Sequence, residues 1–169
     1  MTNTDSQTQG LYDPSMEHDA CGVGFIANIK GEKSHQIVSD ALTILENMEH
    51  RGASGSDPDS GDGAGVLIQI PHDFFKQEAL KLNIKLEKVG SYGVGMIFLP
   101  KKATIKEGCR RAIAKAADKL GLKILGYRKV PVNAGIIGEG AFSSEPDIEQ
   151  VFIAKPETIH SSEDFERKL

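Results

Sequence analysis

The 169-residue chain has no tryptophan, and only 6% of it is aromatic, which leaves little with which to stack the bases of a single-stranded nucleic acid. It has no excess of positive charge. Twenty Lys and Arg face 24 Asp and Glu, a net charge of −4, so the basic patch that a nucleic-acid or anionic-membrane binder needs is missing. No apolar run approaches the ~20 residues of a membrane span. The first Lys or Arg is Lys30, so the start lacks the basic n-region of a secretory signal and the arginine-rich character of a transit peptide. A cytoplasmic protein is expected. Two cysteines, Cys21 and Cys109, are too few for a disulfide framework or a cysteine-rich metal site. The five histidines form no HExxH and no close pair at ligand spacing, so no metal is expected either.

What remains is globular in composition, 39% hydrophobic and 26% charged, with a mean hydropathy of −0.28 and room for one ordinary domain. Residues 1–20, MTNTDSQTQGLYDPSMEHDA, are polar and acidic with little to bury, and read as a flexible leader. CGVGFIANI then reads as a glycine-punctuated strand. Ile37, Ala41, Ile44, Leu45 and Met48 recur at helical spacing after a candidate N-cap, Ser34. That helix is expected to stop at Arg51-Gly52, the glycine supplying a left-handed C-terminal residue. An acidic glycine-rich loop, ASGSDPDSGDGAG, leads into VLIQIP, a second predicted strand.

Further along, HDFFKQEALKL predicts a short helix, YGVGMIFLP a strand, and TIKEGCRRAIAKAADKLG a helix with Ile105, Cys109, Ile113, Ala116 and Leu120 inward. LKILGYRKVPV and EQVFIAKP predict two more strands, so residues 92–156 read β-α-β-β, a small sub-lobe able to pack its helix on its own sheet. SSEDFERKL starts a helix capped by Ser161 or Ser162. A chain ending as a helix begins is expected to be a truncated piece of a longer one.

Three features invite chemistry. Cys109 falls on an apolar helical stripe and reads as an inert core thiol. Cys21 has two readings: a small buried residue opening a strand, or a nucleophile. Ala20 before it is small enough for a cleavage pocket, and Gly22 and Gly24 leave the thiol uncrowded. A cut after Ala20 would give Cys21 a free α-amine with a pKa of about 7.7–8.0, a base within reach of its own thiol. Asp57, Asp59 and Asp62 suggest a calcium loop, but Gly61 stands at the fifth position and no Glu at the twelfth, so a solvated loop is expected. The GDGAG glycines precede a strand instead of linking a strand to a helix, so they do not make a dinucleotide loop.

CGVGF together with NMEHRGASGSDPDSGDGAGVLIQIPHDFF resembles the class II (N-terminal nucleophile) glutamine amidotransferase domain that opens the large subunit of glutamate synthases. The resemblance runs from Leu11 to the end and is most specific over 17–75. It implies an α+β, four-layer αββα sandwich, incomplete here, with the β-α-β-β sub-lobe attached. It also implies removal of residues 1–20 between Ala20 and Cys21. The Cys21 thiolate then attacks the side-chain amide of glutamine, giving a γ-glutamyl thioester and ammonia, and water releases glutamate. Ammonia is expected to pass to the remainder of the synthase chain and aminate 2-oxoglutarate. FMN and an iron–sulfur cluster are implied for that remainder, with no cofactor in this segment, and the expected partner is a small reductase subunit or ferredoxin.

Arg51 and Gly52 match the Arg-Gly pair that this family keeps near the nucleophile. Arg51 is equally readable as a cation at the negative end of a helix dipole, worth ~0.3–1 kcal/mol. The family's oxyanion hole uses an Asn-Gly pair, and no Asn-Gly occurs in these 169 residues. Loss of one oxyanion donor costs about 2.7–4 kcal/mol, so the isolated piece is expected to be inactive. Two other functions stay open: a class II amidotransferase serving another acceptor, and a non-catalytic regulatory or interaction protein of the same fold.

Overall fold

The computed structural model describes residues 22–52, 57, 59–61 and 63–169. The chain divides into two compact units, residues 1–66 and 67–169, each described by itself.

In the first unit, helix α1 spans His35–Asn47. Its expected stripe holds: Ile37, Ala41, Ile44, Leu45 and Met48 are half-buried. Ser34 occupies the N-cap in an extended conformation, but its side chain caps nothing. The exposed face is laced instead by a hydrogen bond from Gln36 Nε2 to Asp40 Oδ1 at 2.7 Å, one turn along. The helix closes at Met48 and continues as a single 3-10 turn, Glu49–Arg51.

Three expectations for the chain up to residue 70 fail. Gly52 is extended (φ −86°, ψ 161°), not left-handed. The 3-10 turn already accounts for the helix end, with Arg51 N–H donating to the Met48 carbonyl and Gly52 N–H to that of Glu49, so no left-handed residue is required. The predicted strand beginning at Cys21 is not a strand among its described residues, and residues 66–70 of VLIQIP are not one either. Val23, Phe25, Ile29 and Leu67 are almost fully exposed. β-Propensity makes a strand only where a neighbouring strand pairs with it and a packed face covers it.

The second unit is a three-stranded antiparallel sheet in the order β1-β3-β2, with β1 Tyr92–Leu99, β2 Lys123–Lys129 and β3 Asp147–Ala154. Helix α2 (His72–Lys81) precedes the sheet. Helix α3 (Ala103–Lys119) crosses from β1 to β2, α4 (Glu139–Ser144) leads into β3, and α5 (Ser162–Glu166) follows it. The expected β-α-β-β order is therefore present, and β3 enters between the two strands that α3 connects. The overall class is α+β. Among the described residues no helix is long and apolar enough to cross a membrane.

Because β3 is central, its alternate side chains serve two cores. Phe152, fully buried, meets Phe75 and Ala79 of α2 together with Tyr92, Ile84 and Leu86. Ile153 faces the other way, toward Ala117 of α3, Leu122, Ile159 and Phe165 of α5. Ser161 caps α5, its Oγ accepting from Asp164 N–H at 3.4 Å.

Helix α3 is rotated from its predicted orientation. Cys109 and Ile113 are half-buried and Ala117 is buried, but Ile105, Ala116 and Leu120 are exposed. The face on the sheet includes Lys106 and Arg110, which reach acidic residues of β3: Lys106 Nζ pairs with Asp147 at 2.5 Å and Arg110 with Glu149 at 2.6 Å. Charged pairing outcompetes the apolar stripe for that face.

Candidate active site

Cys21 and Ala20, the expected nucleophile and cleavage position, lie outside the described residues. The first described residue is Gly22, and the chain from it alternates. Val23 and Phe25 point away into solvent, while Gly22 and Gly24 face the end of α1. A Cβ on Gly22 would stand 3.0 Å from Met48 Sδ, 3.3 Å from Arg51 Cβ and 3.4 Å from Arg51 Cγ. A Cβ on Gly24 would stand 2.5 Å from Ile44 Cγ2, closer than side chains pack. The two glycines let the backbone lie directly on the helix. The role expected of them, leaving the thiol of Cys21 uncrowded, concerns a residue outside the described ones.

The helix end supplies the other half of the arrangement. The 3-10 turn swings Arg51 back beside Met48, so that its aliphatic stem lies against Gly22. Arg51 as a whole is exposed. Its neighbour Gly52 carries the chain away in an extended conformation. His50 is tied locally, its Nδ1 3.0 Å from the Asn47 carbonyl oxygen. The structure thus brings Arg51 to the residue that follows Cys21 in the chain.

In the acidic loop, Asp57 organises its own turn. Its carboxylate accepts from Asp59 N–H at 3.1 Å and from Ser60 Oγ at 2.9 Å, an Asx turn. Asp62 lies outside the described residues. Among the described residues no group of three or more His, Cys, Asp or Glu could hold a metal ion.

The second unit carries two charged networks, one on each face of the sheet. On the α3 face, Arg110 donates from Nε and Nη2 to both oxygens of Glu149, which is 2% exposed. This pairing holds the Arg110 pKa above its ordinary value, while Lys106, and then Lys129, hold that of Asp147 below its own. Arg110 also lies over the Tyr127 ring, 4.9 Å from its centroid. The Tyr127 hydroxyl is buried with no hydrogen-bond partner among the described residues, and burial raises its pKa.

On the α2 face, buried Arg128 donates to Glu78 at 2.8 Å and to Gln150 Oε1 at 3.0 Å, under the Phe74 ring. Hydrogen bonds from Lys81, then Arg128, lower the Glu78 pKa. At the start of α2, His72 Nδ1 lies 3.0 Å from the buried Tyr92 hydroxyl, whose pKa is raised by burial and then by Asp73. Sequence reading missed this pair because its members are 20 residues apart. It missed Met48 as a contact of Gly22 as well. The only available signal was that Met48 lies four residues after Ile44 on the same stripe. Cys109, the expected core thiol, is a free cysteine and only half-buried.

The family described as glutamine amidotransferases class-II matches residues 21–169, its match opening on Cys21. The chain belongs to the class II glutamine amidotransferases. Over 163 residues, 96% of its length, this class II amidotransferase chain is 45% identical to the glutamate synthase (NADPH) large chain of Bacillus subtilis (strain 168). It is 49% identical over 149 residues, 84% of its length, to the glutamate synthase (NADH) of Saccharomyces cerevisiae. It is 46% identical over 167 residues, 96% of its length, to ferredoxin-dependent glutamate synthase 1 of Arabidopsis thaliana. The aligned regions make up 11%, 7% and 10% of those proteins, so the class II amidotransferase chain spans about a tenth of the length of the curated relatives it matches.

Proposed function

We propose that this chain is the nucleophile-bearing opening part of a glutamate synthase, which takes ammonia from glutamine. The observation that carries the reading is the family match opening on Cys21. The close approach of Gly22 to the Arg51 end of α1 supports it. In this reading residues 1–20 are removed between Ala20 and Cys21, which frees the Cys21 α-amine to act as the base for its own thiol. The thiolate attacks the glutamine amide carbon. The C–N bond breaks, ammonia leaves with the proton relayed from the thiol, and water hydrolyses the γ-glutamyl thioester to glutamate. Arg51 and Gly52 belong to the wall around the nucleophile.

The remainder of the synthase chain uses the ammonia to aminate 2-oxoglutarate. FMN and an iron–sulfur cluster held by that remainder would carry the electrons of the reductive step from an external donor to the site of amination. An iron–sulfur cluster ligated by cysteine alone takes four thiolates in its [2Fe–2S] and [4Fe–4S] forms, and with two cysteines in all this segment does not fit such a cluster. A small reductase subunit or ferredoxin delivers the electrons, and the enzyme is cytoplasmic. The αββα sandwich forms when residues 22–29 and 66–71 acquire strand partners from the rest of the domain. Residues 1–169 alone are inactive, because the Asn-Gly oxyanion donors are not among them.

The intact mass of the full-length protein from cells tests the reading, with loss of residues 1–20 expected. A retained leader on a protein that still hydrolyses glutamine overturns the mechanism. A glutamine-analogue electrophile should label Cys21 and spare Cys109. Cys21→Ala should abolish glutamine-dependent activity and leave ammonia-dependent activity. Glutaminase turnover by residues 1–169 would overturn the inactivity of the piece.

A further inference from the structure

The geometry points to Met48 as a positioning residue for the nucleophile, an inference that rests on the proposed role of Cys21. Two separate features of Met48 converge. Its Sδ lies 3.0 Å from the point where a side chain on Gly22 would begin, so the thioether is the surface on which the residue after Cys21 rests. Its backbone is the joint between α1 and the 3-10 turn (φ −94°, ψ 6°), and its carbonyl accepts from Arg51 N–H at 2.8 Å. The same residue therefore sets the level of the Gly22 backbone and the direction in which Arg51 leaves the helix.

Met48 bears no charge and no group able to donate or remove a proton, so its contribution is placement. A peptide backbone seated on a thioether has its height fixed by van der Waals contact. Gly22 has no side chain to wedge it elsewhere. Directly below it, Ile44 occupies the place a Gly24 side chain would take, so the segment is seated at two successive inward positions. Truncating Met48 removes the upper seat and lets the nucleophile end drift, while the lower seat keeps the segment on the helix. A misplacement of about 1 Å can cost on the order of 100-fold in rate.

The test uses the full-length protein with Met48→Ala, Met48→Leu and, as reference, Cys21→Ala. Expected for Met48→Ala is a fall of about 10- to 100-fold in glutamine-dependent kcat, with KM for glutamine within about twofold and ammonia-dependent turnover retained. Labelling of Cys21 by a glutamine-analogue electrophile should slow in parallel. Met48→Leu, which restores an apolar surface of similar size, should recover most of the rate. Wild-type glutamine kcat in Met48→Ala overturns the inference, and so does an equal loss of glutamine- and ammonia-dependent activity, which marks a merely structural residue. If Cys21→Ala still uses glutamine, the underlying reading has failed. A dead Cys21→Ala beside a fully active Met48→Ala rejects the role of Met48 alone.

Discussion

The Arg51 side chain begins 3.3 Å from where a side chain on Gly22 would begin, across 29 residues of chain. The contact is made by methylenes, not by the guanidinium, so Arg51 contributes packing here as well as charge. Its two sequence readings, a cation at a helix end and a residue near the nucleophile, are thus compatible: the stem lies on Gly22, and the exposed residue leaves the charge in water.

Among the described residues of the first unit, the close approach of Gly24 to α1 is easily broken. Gly24→Ala puts a methyl 2.5 Å from Ile44 Cγ2, and a β-branched helical residue has essentially one rotamer and cannot swing aside. Overpacking of this kind costs about 1–3 kcal/mol. Glutamine-dependent activity of the full-length protein should fall, and Gly24→Ala combined with Ile44→Ala should recover it in part. Strict additivity of the two changes would contradict the packing argument.

Arg110→Ala leaves Glu149, 2% exposed, with only the longer ion pair from Lys106 at 3.8 Å in place of its bidentate partner, and a buried charge so weakly compensated costs up to about 3 kcal/mol. Urea unfolding followed by circular dichroism should register a loss of that order. Replacing both residues with apolar ones, Arg110→Met with Glu149→Leu, should return most of the stability.

Phe152 is the largest fully buried side chain among the described residues. It packs edge-on against Phe75, with ring centroids 5.4 Å apart. Phe152→Ala should cost about 3–5 kcal/mol, more than an alanine substitution at exposed Phe98, measured in the same unfolding assay.

Both ends of the pH scale should destabilise the second unit. The folded pKa values of Asp147 and Glu78 are lowered, first by Lys106 and Lys81 respectively. Their contribution is complete above the ordinary carboxylate range of about 4 and is lost as pH falls through the lowered values. Tyr127 and Tyr92 are raised by burial, so their contribution is complete below the ordinary phenol value of about 10 and is lost as pH rises through the raised ones. In the thermal midpoint against pH, Asp147→Asn should weaken the acid limb and leave the alkaline one unchanged.

Local patterns carried much of this protein unaided. The stripe of α1, the existence of α2 and α3, the three strands of the second unit and the Ser161 cap all follow from spacing and capping chemistry acting within a few residues. The family followed from short motifs around Cys21, Arg51 and the acidic loop. Only the tertiary structure decided what depends on partners distant in the chain. Apolar segments 22–29 and 66–70 are not strands because a strand exists only with something to pair with. Helix α3 turned Lys106 and Arg110 to the sheet because Asp147 and Glu149, some 40 residues away, were there to receive them. The glycines after Cys21 proved to be seats on Met48 and Ile44, since a missing side chain acquires a purpose only from what fills its place.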